Sequence, residues 1–90
     1  MSRFFERIPL EAAQALEQLS RISFELRENR TQCLQQYGQE TEDALHQAIC
    51  DCTLAEHPAY DHYLSAKILA STREAVREQL RTVSAELGAL

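Results

Sequence analysis

Glycine and proline occur only twice each in these 90 residues, and tryptophan not at all. A chain with so few turn formers has few places to reverse direction, which disfavours a fold of many short strands. Runs of β-branched residues are missing as well. Ala, Leu, Glu, Gln and Arg, the strong helix formers, fill the sequence instead. No apolar stretch approaches the ~18 residues that a membrane span needs. The start lacks the basic segment and apolar core of a secretory signal. No membrane association is expected, and a cytoplasmic location is. Three cysteines, an odd number, close no disulfide framework, which fits a reducing compartment. The net charge of −5 repels phosphate backbones, so nucleic acid is not an expected partner. No phosphate-binding loop, nucleophilic triad or complete metal-ligand set stands out, so no enzyme activity and no cofactor are expected.

What is present is helical periodicity. Residues 1–8 are short and amphipathic, with Phe4, Phe5 and Ile8 apolar. Pro9 is suited to a first helical position, where its missing N–H leaves nothing unpaired. From there Ala12, Leu16, Leu19, Ser23, Leu26, Arg30, Cys33 and Tyr37 alternate steps of four and three, a heptad-like seam with two polar members. Gly38 is suited to a left-handed helix cap. A second seam, Leu45, Ala48, Cys52 and Ala55, follows an acidic start at Glu40, Glu42 and Asp43. His57, preceding Pro58, is pushed out of the α region. The third seam runs through Ala59, His62, Ala66, Leu69, Arg73, Val76, Leu80, Val83, Leu87 and Leu90, with Tyr60, Tyr63, Leu64 and Ile68 beside it. The expected fold is therefore a single all-α domain over residues 1–90, a small antiparallel bundle of three helices at about 9–37, 40–56 and 58–87. If the helix continued through Gly38, the chain would instead be a helical hairpin kinked near Pro58.

Chemistry-bearing residues are sparse. His46 and Cys50, four apart, share a helical face, and imidazole and thiolate at that spacing can hold zinc or copper together. His57 lies about 10 Å further along the axis, beyond the reach of the same ion. These two are weak metal candidates; the alternative is solvent-facing histidines beside an apolar cysteine. Cys50 is expected to be more accessible than Cys33 and Cys52, which lie on seams. Arg73, Arg77 and Arg81 form a basic stripe, but Glu74 and Glu78 interleave it at salt-bridge spacing, as on an ordinary solvated face. Tyr60, Asp61, His62 and Tyr63 read as the rim of a core, with hydroxyls reaching water. Phe24 lies off the first seam and can anchor an interface.

Function is read from helix lengths. Outer helices of about 29 residues around a middle one of about 17, in an up-down-up path, leave the outer pair out of register by about 18 Å. Both overhangs are apolar: Phe4, Phe5, Ile8, Leu16 and Leu19 at one end, and Val76, Leu80, Val83, Leu87 and Leu90 at the other. Apolar surface of that extent marks an interaction site. The expectation is a non-enzymatic helical interaction protein, acting as a homodimer or on a helical partner. The alternative is a metal-binding or redox protein using His46 and Cys50, completed across a dimer. A small helical enzyme with a site between helices is a third reading, with no convergent polar cluster to support it.

Overall fold

The computed structural model describes residues 2–88, with side chains from residue 10 onward. Phe4, Phe5, Ile8 and Leu90 therefore lie outside the described side chains. Three helices follow one another, α1 (Ser2–Gln35), α2 (Glu42–Cys50) and α3 (Glu56–Gly88), with no strand among the described residues. α1 does not wait for Pro9 to begin. Proline's fixed φ is helical, and within a helix it forgoes the one hydrogen bond its N–H would make, so the amphipathic opening residues extend the same helix.

The ends of the helices follow from local chemistry. Gly38 takes φ +70°. Gly38 N–H bonds the Gln35 carbonyl at 2.9 Å and Gln39 N–H bonds that of Leu34 at 3.1 Å, the paired bonds of a Schellman cap. Thr41, in extended conformation, starts α2 by accepting the Ala44 N–H on its hydroxyl. α2 stops at Cys50, well short of the expected Glu56. Cys52 takes φ +60°, and its N–H and that of Thr53 bond the carbonyls of Ile49 and Ala48. This is a second Schellman cap, built with cysteine where glycine is usual. His57 has φ −110° and ψ 128° within the opening turn of α3, the break expected before a proline.

The short α2 changes the topology from the expected up-down-up path. Tyr37 near the end of α1 meets His62 near the start of α3, while Arg27 and Arg30 gather with Ala70, Arg73 and Glu74. Residue numbers fall along α1 as they rise along α3, so the two long helices are antiparallel neighbours. α2 lies across the closed end of this hairpin. No 18 Å stagger arises. Carried downward, the same register brings Leu87 to the level of Ala12. Val76, Leu80, Val83 and Leu87 are accordingly half-buried against α1 rather than overhanging.

Every described member of the two long seams, from Ala12 to Tyr37 and from Ala59 to Leu87, is buried or half-buried. Full burial of apolar side chains is confined to the closed end, although Ser23, midway along α1, is buried as well. There Leu34, Leu45 and Ala66 form the core, with Cys33, Tyr37, Ile49, Leu54 and Tyr63 packed around it. Further down, two helices shield each other from one direction only. The result is a rod of 64 × 17 × 15 Å with a radius of gyration of 18.5 Å, where a globular chain of this length has roughly 12 Å.

Candidate functional site

The polar members of the seams converge where the three helices meet. Arg30 from α1 and Glu42 from the first turn of α2 make a two-pronged ion pair. Arg30 Nε donates to Glu42 Oε2 at 2.6 Å and Nη2 to Oε1 at 2.5 Å. Fork-to-fork geometry is the strong form of this interaction, and the side chains are only 29% and 16% exposed. The Arg30 hydrogen bonds are the main reason the Glu42 carboxyl lies below its ordinary value; burial opposes the shift. A carboxylate held ionised in this way is a poor proton shuttle near neutral pH and a good structural anion.

Around the pair lie two open crevices. One, of about 560 Å³, is lined by Arg30, Thr41, Glu42, Asp43, Lys67, Ala70 and Ser71. The other, of about 280 Å³, brings in Arg27, Arg73 and Glu74. Arg73 Nε is buried there without a hydrogen-bond partner, which costs free energy. Within the basic stripe, Arg81 takes both interleaved glutamates. Arg81 donates to Glu74 at 2.9 Å and to Glu78 at 2.6 Å on the exposed face of α3. The crevices thus mix both signs, and no nucleophile stands against a base in either lining.

His46 and Cys50 do meet on the outer face of α2. Cys50 Sγ lies 3.8 Å from His46 Nδ1 and 3.9 Å from Nε2, while the imidazole lies tilted against Tyr63 with ring centroids 5.0 Å apart. His57 does not join them; its Nδ1 lies 3.5 Å from Asp61 Oδ2. Among the described residues, no three His, Cys, Asp or Glu are grouped so as to hold a metal ion. Cys52 does not occupy the core. Its left-handed backbone ends α2 and leaves the side chain exposed, and Leu54 packs inward instead. With Cys50 and Cys52 exposed and Cys33 half-buried, a thiol reagent on the native protein is expected to modify two cysteines quickly and one slowly. Three equal rates would contradict the packing of Cys33.

The aromatic cluster is divided. Tyr63 borders the core and carries Lys67 over its ring at 5.5 Å, the Tyr37 hydroxyl lies 2.6 Å from His62 Nδ1, and Tyr60 is exposed. Phe24 is 60% exposed, as its place off the seam implies. Leu10, Leu64 and Ile68 are exposed as well. Sequence reading singled out Arg30 as a polar member of a seam and Arg73 as part of a basic stripe. It missed their convergence with Glu42, whose partner lies on another helix. No described helix is long and apolar enough to cross a membrane.

Comparison with known proteins adds a family and no activity. Residues 12–87 match the family model described as the Uncharacterized protein MJ0235 family. No curated protein and no solved structure matches the chain.

Proposed function

The chain belongs to the MJ0235 family, whose description carries no activity, and we propose from its shape that it is a non-enzymatic helical interaction module. The supporting observation is an unfinished core. The chain exposes 6548 Å², whereas a globular monomer of its 10.3 kDa exposes roughly 5,400 Å². The excess reflects the rod shape, in which two long helices shield each other from one direction only. A protein of this form gains stability when another helical surface closes the seam. That surface belongs either to a second copy or to a helix of another protein.

Mass action provides the test. Anything that binds the folded chain raises its unfolding midpoint with concentration. The melting temperature is therefore expected to rise between about 1 and 100 µM protein, or on adding a partner that co-purifies from the native host. A midpoint independent of concentration, with no co-purifying protein, would sink the proposal.

The contact between His46 and Cys50 supports a second reading, metal binding completed across a dimer. Tetrahedral zinc bonds of ~2.0 and ~2.3 Å to nitrogen and sulfur set those atoms about 3.5 Å apart, close to the distance present. Two ligands do not make a structural site, so this reading requires a second chain. Zinc that drives dimerisation of the wild type but not of His46→Ala would favour it over the first.

A further inference from the structure

The two edges of the hairpin seam are unequal. Each seam consists of two rows of residues spaced by seven. One row on each long helix lies toward α2 and holds Ser23 and Arg30 on α1 and Arg73 on α3, while the polar His62 stands in the other row at the closed end. At about 100° per residue, the other row turns away from α2. It carries Leu19 and Leu26 on α1, and Leu69, Val76 and Val83 on α3, with Ile22 beside it at 37% exposure. The positions flanking this edge are also uncharged over most of its length, among them Asn29, Thr72 and Gln79. On the α2 side the corresponding places hold Arg27, Lys67, Glu74, Arg77 and Arg81. Apolar rows with uncharged flanks are the composition of an interface centre.

We propose that a second copy of this chain covers the face opposite α2, joining two hairpins about a two-fold axis into a four-helix bundle. The inference rests on reading the chain as an interaction module and names its partner. Charge selects the face on which two copies would meet. Molecules of net charge −5 repel each other, and this uncharged strip is where two of them meet at least electrostatic cost. Area agrees. A strip 17 Å wide along a rod of 64 Å offers on the order of the ~800 Å² per partner that a stable interface uses. A self-complementary patch along antiparallel helices suits two-fold closure. The arrangement leaves both α2 helices on the outside, so His46 and Cys50 of the two copies stay apart. It is therefore incompatible with a metal site shared across the dimer.

Sedimentation equilibrium on the full chain, with EDTA present, tests the proposal. Wild type is expected to run at twice 10.3 kDa. Ile22→Glu and Thr72→Glu, both at exposed positions on the face, are expected to weaken dimerisation at least tenfold while keeping the helical circular dichroism of the wild type. Phe24→Glu, exposed on the α2 side, is expected to leave the dimer intact. Cys33 lies in the α2-distal row of α1 and is expected to react with thiol reagents faster in Ile22→Glu than in wild type. Thr72→Glu supplies the same readout if Ile22→Glu loses helicity. A dimer broken by Phe24→Glu but not by Ile22→Glu or Thr72→Glu would overturn the face and leave the interaction reading standing. So would a dimer that needs zinc. A monomer would overturn the second copy. If that monomer still co-purifies with another protein, the interaction reading survives; without one, it falls too.

Discussion

Leu45→Ala is expected to cost about 2–5 kcal/mol, the range for emptying a fully packed leucine site. Leu45 has 0% exposure, and Leu34 at 1% and Ala66 at 0% are its neighbours in the small core. It is also the buried anchor of α2. A helix of 9 residues has negligible stability alone, so its presence depends on docking. Removing the anchor should release α2 from the closed end and expose the adjoining parts of α1 and α3. At about 4–8 °C per kcal/mol for a domain of this size, the melting temperature should fall by at least ~8 °C. Hydrogen exchange should show the amides of α2 losing protection first. Phe24→Ala is the control, with an expected change within about 0.5 kcal/mol because its side chain is mostly exposed. A Leu45→Ala loss below about 1 kcal/mol, with α2 still protected, would falsify the assignment of Leu45 as the anchor.

Glu42→Gln is expected to cost about 1–3 kcal/mol, because charged hydrogen bonds in a shielded place are lost and Arg30 is left without its anion. The pH dependence has a definite sign. Arg30 holds the Glu42 carboxyl below its ordinary value of 4.5. The contribution is therefore fully present above that value and disappears as the pH falls through the lowered folded value. Chemical denaturation should show wild type and Glu42→Gln separated by a constant margin above pH 4.5, and converging in more acidic solution. Arg30→Met combined with Glu42→Leu should recover much of the loss, since removing both charges leaves neither unpaired. Additive effects of the two single changes would show that the pair is not coupled.

The division between what was legible in the residues and what was not has a physical basis. The steps of four and three marked both long seams residue by residue. A helical period is a local property, and an apolar stripe on a long helix must find cover. The cap at Gly38 and the break at His57 were legible for the same reason: glycine and the residue before proline restrict their own backbone. The end of α2 was not. Cys52 takes the left-handed angle without being glycine, and docking of Leu45 and Leu54 at the closed end accompanies the shorter helix. Shortening α2 then reversed the relation of α1 to α3, and the apolar end of α3 found its cover on α1. The joining of Arg30 to Glu42 and the burial of Arg73 Nε depend on three helices arriving at one place, which no spacing along the chain encodes. Helix and face are matters of near neighbours in the chain, whereas length of docking, direction of return and pairing of charges are set by contacts between residues far apart in it.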